Sequence, residues 1–406
     1  LPHGRGEAEI KAQLRSKKAD AVVVPASRLF WLKNTVILVF CLGLWMSSAL
    51  WIGPRSFPLS PVLSLFPAIG DAAAHALYAA LFVMAAAALV APKPGWPIAG
   101  FLAVMAVFCL TDQTRWQPWV FQYSLLLGVL AVHPWKGADA DGERRTLNIL
   151  RLIIAFTYIY SGLQKINLNF MENDFPWLVQ PITDLFPFTA PFLHAFGMAV
   201  PFVQVAFGIG LLTRRFRRAS LIAAVAMHLF ILAMFGPMGL NWNNIVWPWT
   251  AAMAIFDVLL FSGAEFSWRE IVWSGRDPRH VAAIVLFAIL PALSFLNLWD
   301  SYLSSALYSG NLTEAQIYLS DAGKASLPAA IAARAVHTSP DTNVVNLQRW
   351  VIEDLNVTPY PETRVYKAIA KGVCSKLRDP NQLVLMVREQ RMFFSRPETG
   401  FRCAEL

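Results

Sequence analysis

Nine apolar stretches run along this chain, near residues 35–52, 71–91, 96–111, 117–133, 148–167, 189–213, 219–236, 243–261 and 280–299. Backbone N–H and C=O groups buried in hydrocarbon must bond within the chain itself, so a segment in lipid is either a helix or part of a closed barrel. Most of these stretches approach the roughly 20 residues a helix needs to cross a bilayer, well beyond a crossing strand. The pattern predicts an all-α polytopic membrane protein with about nine transmembrane helices. The third and fourth stretches are short and close together. No fixed-period repeat and no low-complexity segment interrupts the series.

Composition supports a lipid-facing chain. Hydrophobic residues make up 56%, mean hydropathy is +0.47 and charged residues are only 15%, against roughly 25% in a soluble domain. The net charge of +8 comes from short clusters between apolar stretches. A nucleic-acid partner, which needs a solvated basic stripe, is excluded by that distribution. No charged segment, apolar run and small-residue site precede the first span, so no cleavable signal peptide is expected.

The loop charges predict orientation, because Lys and Arg accumulate in cytoplasmic loops. With nine spans and a cytoplasmic N-terminus, the inside segments hold Lys93, Lys136, Arg144, Arg145, Arg214, Arg215, Arg217, Arg218, Arg269, Arg276 and Arg279. The outside loops hold Arg55 and Arg115, and loop 168–188 has neither Lys nor Arg. Three regions follow: a basic cytoplasmic segment 1–34 lying along the membrane surface, a helix bundle 35–299, and an extracytoplasmic domain 300–406. The tail reads as a small α+β domain, helix-like near 312–320 and 362–378, strand-like over 383–387 and turn-prone over 396–400. Cys374 and Cys403 both fall there, and an oxidising compartment makes a disulfide between them the expected state. Cys41 and Cys109 fall in spans, as small apolar residues.

Polar residues gather at the outer end of the bundle. Arg151, Tyr158 and Lys165 recur every seven residues on one stripe of the fifth span, with Gly162 beside it. Two readings of Lys165 stand. Either its ammonium snorkels to the headgroups, or the acidic, aromatic, Pro-rich loop 173–178, with Trp177, holds it away from water. A lysine held so loses its proton more readily and serves as a general base. Arg151 is read mainly as a snorkelling cation. His228 lies inside the seventh span, where ionisable groups face the bundle and mark sites or bond across helices. Asn241, Asn243 and Asn244 stand beside Trp242, Trp247 and Trp249 at the mouth of the eighth span. Such amides either bind polar groups or cap helices in an aromatic belt. The sixth span adds His194 and Gln204. No His or Cys spacing suits a metal, and no phosphate loop or nucleophile elbow is present.

The run from Tyr158 to Lys165, then Pro176-Trp177-Leu178, His228 and Asn241–Asn244 resembles the HTTM family of bacterial membrane proteins, related to vitamin K-dependent gamma-carboxylase. The resemblance spans residues 151–249. It implies a bacterial inner-membrane bundle with a luminal C-terminal portion, a quinone or hydroquinone as cofactor, and a lysine base at Lys165. Carboxylation of glutamate is not carried over, because the fourth span offers Gln122 and Tyr123 where the carboxylase relies on a histidine. The functional expectation is thus a quinone- or lipid-using site at the outer leaflet, with Lys165 and His228 catalytic. Tyr158, Trp177, Asn241, Asn243 and Asn244 would bind its substrate. The alternative is a non-catalytic anchor or scaffold that docks a membrane or periplasmic protein through residues 300–406. A transporter is the weakest fit, since no paired broken helices occur in matching halves.

Overall fold

A computed structural model describes residues 27–63, 65–66, 68–136, 139–273, 277–389 and 397–406. Most of the expected basic segment 1–34 lies outside those residues.

Each apolar stretch carries a helix: α1 Arg28–Met46, α2 Asp71–Val90, α3 Gly95–Thr111, α4 Pro118–Ala131, α5 Ala140–Gln164, α6 Ala190–Leu212, α7 Arg217–Phe235, α8 Val246–Phe261 and α9 Pro278–Ile284, the last extended by Val285–Ile289 and Leu290–Leu293. Side chains close several helix starts: Ser27 accepts from the Phe30 amide, Asp139 from Gly142 and Asp277 from Arg279.

The protein is a multi-pass membrane protein, and among the described residues six helices are long and apolar enough to cross a bilayer. The other three of the nine expected spans are apolar helices of lesser length. Helices α3, α4 and α8 have 17, 14 and 16 residues, or about 20 to 25 Å at 1.5 Å per residue, short of the roughly 30 Å hydrocarbon core. Polar turns cut them off. Between α3 and α4 the Asp112 carboxylate pairs with Arg55 at 2.7 Å and accepts from Ser60 Oγ and the Thr114 amide at 3.0 Å each. Before α8, Asn241 and Asn243 take left-handed backbone conformations, with φ of 47° and 42°, and the helix begins only after them.

Helix α5 is the centre of the bundle: its apolar window is 78% buried, against 44% or less for the other long helices. It meets α6 at glycines. A Cβ on Gly162 would stand 2.8 Å from the Pro201 carbonyl oxygen, and one on Gly208 would stand 2.9 Å from Ile159. Small residues let these backbones approach closely, the usual way for helices to pack in lipid.

Beyond α9 the chain builds an antiparallel sheet of β1 Glu314–Leu319, β2 Ala335–Ser339, β3 Thr342–Asn346, β4 Leu383–Arg388 and β5 Glu398–Arg402, in the order β2-β3-β1-β4-β5. Residues 314–319 are thus a strand where a helix was expected. Glu, Ala and Gln favour helix, but Ala315, Ile317 and Leu319 alternate onto one face and find a core to fill. That core includes Trp350, Val351, Val365, Ile369 and Val373, from α10 Leu347–Leu355 and α11 Thr363–Cys374. The expected turn over 396–400 is corrected likewise, since β5 pairs with β4 from Glu398 onward; Arg396 lies outside the described residues. The helix near 362–378 and the strand over 383–387 are present, and Cys374 and Cys403 form the expected disulfide.

The C-terminal part is fastened to one end of the bundle. Asp354 accepts from the Ser56 and Phe57 amides at 2.9 and 2.8 Å, Gln117 donates to the Thr358 carbonyl at 2.8 Å, and Arg364 Nε donates to Gln113 at 2.9 Å.

Candidate functional site

Below this joint the bundle holds a cavity of about 400 Å³, walled by α4 to α8 and Phe287 of α9. Residues from 170–178 and 302–308 form its end nearest the C-terminal sheet. Its surface is overwhelmingly apolar and rich in aromatic rings, among them Phe121, Phe207, Phe230, Trp249 and Phe287. The size lies within the range of small-molecule pockets.

Two of the polar groups that line this cavity lie at different depths. The deeper is a hydrogen-bonded chain across three helices. Tyr158 of α5 donates its hydroxyl to Asp257 Oδ2 of α8 at 2.7 Å, and the same oxygen lies 2.6 Å from His228 Nε2 of α7. A phenol carries one proton. With that proton given to Asp257, His228 Nε2–H donates to Tyr158, and His228 Nδ1 is left as a bare acceptor. Among the described residues no protein group bonds to His228 Nδ1 or to Asp257 Oδ1. His228 is 6% exposed and lines the cavity.

The shallower position is Lys165, immediately after α5. Its ammonium donates to the Ser161 carbonyl at 2.9 Å and to Ser161 Oγ at 2.6 Å, 5.9 Å from the Phe170 ring centre. Asp174 lines the cavity on the same side, and its charge acts on Lys165. Lys165 is half-buried, with its ammonium tied back to the last turn of α5.

The remaining candidates divide. Tyr158, Trp177, His228 and Gln204 line the cavity with Lys165. Asn243 instead donates to Tyr308 Oη at 2.6 Å, and Asn244 Oδ1 accepts from Asn356 Nδ2 at 2.8 Å. Both therefore help hold the C-terminal part in place. Asn241 is exposed at its turn, and His194 is exposed on α6.

Arg151 turns to the far end of the bundle, where it is 4% exposed and bonds Leu260 O at 2.8 Å and Asn148 Oδ1 at 2.7 Å. Asp257 was missed, although it is the one acidic residue in the apolar run of α8, the kind of position that marks buried machinery. Gln122 and Thr157 also line the cavity, bonded to each other at 3.3 Å, and Gln122 accepts from Trp249 Nε1 at 2.7 Å. Among the described residues no cluster of His, Cys, Asp and Glu suits a metal ion.

A family model described as "Methylamine utilisation protein MauE" matches residues 143–246, about a quarter of the chain. Over this stretch the chain is similar to MauE. The match runs from the first turns of α5 through the cavity mouth, α6 and α7 to the start of α8. It overturns the expected resemblance to the HTTM family and the gamma-carboxylase, which rested on nearly the same residues. The reason is physical: a lysine ending a span, a histidine inside one and Asn/Trp residues at a mouth are general responses to lipid. They do not separate one bundle family from another. No curated protein and no solved structure matches the chain.

Proposed function

We propose that this protein is an accessory membrane subunit without a catalytic step of its own, serving methylamine utilisation, with its C-terminal domain meeting a partner protein. One observation carries the reading: polar groups expected to hold a substrate at the mouth instead join the domain to the bundle. Asn243 bonds Tyr308, Asn244 bonds Asn356, and Asn356 also donates to the Met46 carbonyl at 2.9 Å. Such bonds make bundle and domain one body, as a scaffold requires. The likeness to MauE over 143–246 supplies the system it serves.

In this reading α3, α4 and α8 complete nine crossings, with the bilayer thinned around them, and the protein sits in a bacterial inner membrane. The basic groups Arg28, Lys33, Arg151 and Arg217 lie at the end away from the sheet, which supports a cytoplasmic assignment for that end. The disulfide supports an oxidising compartment for the sheet.

The partner meets the open face of the sheet. There Val336, Val344, Tyr318 and Val384 align in register across four strands, with Val336 56% exposed. Tagged protein from native membranes is expected to copurify with one stoichiometric partner. A Val336→Lys, Tyr318→Glu double variant loses that partner, and a deletion strain fails to grow on methylamine. A solitary protein together with normal growth on methylamine removes this reading.

A further inference from the structure

The cavity has an address written in its chemistry, independent of the accessory role proposed above. We propose that it binds a lipophilic phenol, a hydroxylated aromatic ring bearing an apolar chain, whose hydroxyl donates to His228 Nδ1. In this proposal the one proton of the Tyr158 hydroxyl goes to Asp257 Oδ2, so that His228 Nε2 donates and Nδ1 accepts. His228 lines the apolar cavity, and its Nδ1 is buried with no bonding partner among the described residues. A buried acceptor left unmatched is costly, and a ligand hydroxyl satisfies it. The surrounding rings favour an aromatic body. Phe207 packs edge-on to Tyr158 with centroids 5.1 Å apart, and Phe121 stacks on Phe287 at 5.7 Å. Flat rings gain most from such neighbours.

The route in is lateral. Phe196 and Val203 of α6 line the cavity, yet are 45% and 47% exposed on the outside of the bundle. Ala226 of α7 likewise lines it and is exposed. The wall between α6 and α7 is therefore one side chain thick, on a surface that lipid covers. Towards the sheet the cavity meets the segment 302–308, whose Tyr302 bonds Thr358 at 2.6 Å and whose Tyr308 is held by Asn243. A ligand entering from the bilayer, with its chain trailing between α6 and α7, fits both ends.

The experiment uses the full chain in lipid nanodiscs and three probes: para-octylphenol, its methyl ether para-octylanisole, and octylbenzene. Binding is read from the shift in unfolding temperature with probe concentration. The phenol is expected to bind about tenfold more tightly than the ether, the size of one neutral hydrogen bond. His228→Phe should remove that preference while leaving the affinity for octylbenzene unchanged. A nitrogen NMR shift at His228 Nδ1 on adding phenol to the unaltered protein gives the same answer should the variant not fold. Equal binding of phenol and ether, as simple partition into lipid produces, overturns the proposal. So does a preference that survives His228→Phe, or an Nδ1 shift that phenol leaves unmoved.

Discussion

Two of the places where the bundle buries polar groups are built in opposite ways. At the end away from the sheet, three arginines converge on the C-terminal end of α8. Arg28 donates to Ser262 O at 2.8 Å, Arg151 to Leu260 O at 2.8 Å, and Arg217 to Ala264 O at 2.6 Å and Phe266 O at 2.9 Å. The Phe266 ring lies under Arg151 and Arg217 at 4.6 and 3.5 Å. A helix C-terminus presents unpaired carbonyls and partial negative charge, so cations there are stabilising. The Tyr158–His228–Asp257 chain is instead left open, with two atoms unpartnered and a void beside it. Burial of polar groups alone therefore does not mark a binding site in this protein. The proposed phenol site differs from the arginine end in its incomplete satisfaction next to empty volume.

The sharpest way to test that contrast is to break the closed end. Arg217→Leu removes donors from three carbonyls, including Leu211 O at 3.2 Å. Bonds from charged groups contribute about 1.5 to 3 kcal/mol each; with partial relaxation the expected loss is about 4 kcal/mol. Thermal unfolding in detergent, followed by labelling of the free Cys41 and Cys109, measures it. A loss below about 1 kcal/mol, the worth of an exposed pair, would make the arginine end ornamental and erase the contrast.

The joint above the open end carries the next effect, and it depends on pH. Burial, with the Asp300 carboxylate adding, pushes Glu362 up to about 7, while Ser301 donates to it through its amide at 2.8 Å and its hydroxyl at 3.0 Å. The folded state thus binds this proton more tightly than the unfolded chain. The stabilisation is full below about pH 4.5, the ordinary glutamate value, and is lost as pH rises through 7. It amounts to at most about 3 kcal/mol. Glu362→Gln is expected to flatten that slope, and an unchanged pH profile of unfolding temperature would exclude the joint as its source.

How much of this was legible in the sequence follows from the range of each interaction. Lipid imposes its rule on every residue of a span, so the apolar stretches locate α1 to α9 well. Whether α8 is long enough depends on Asn241 and Asn243 adopting left-handed backbone, which a run of amides suggests but does not dictate. Asp257 was readable as an acid in an apolar helix, but its partners His228 and Tyr158 lie on other helices. Asn243 looked like a ligand-binding amide because its actual partner, Tyr308, is 65 residues away. In β1 the local preference for helix and the alternating pattern disagreed, and the core decided.

A smaller effect is expected at the segment closing the cavity. Gly310 has φ of 69°, and a Cβ there would stand 2.4 Å from the Phe170 amide nitrogen. Gly310→Ala therefore combines backbone strain with a clash against a fixed backbone, costing about 2 kcal/mol. It should also weaken phenol binding, because Phe170 moves with that backbone. Stability lost with binding intact would separate this segment from the cavity it borders.

The smallest change is the most telling about the void. Ala223 of α7 lines the cavity, so Ala223→Leu places new methyl groups into unfilled space. Overpacking a dense core costs about 1 to 3 kcal/mol, and Gly210 illustrates such density, since a Cβ there would lie 2.0 Å from Ser220 Oγ. Ala223→Leu is expected to change stability by less than about 1 kcal/mol, while the phenol loses affinity because its volume is taken. If Ala223→Leu instead destabilises as much as Gly210→Ala, the cavity collapses in the free protein. The open and closed ends would then differ only in their hydrogen bonds, and the binding proposal would have to rest on His228 Nδ1 without a preformed space beside it.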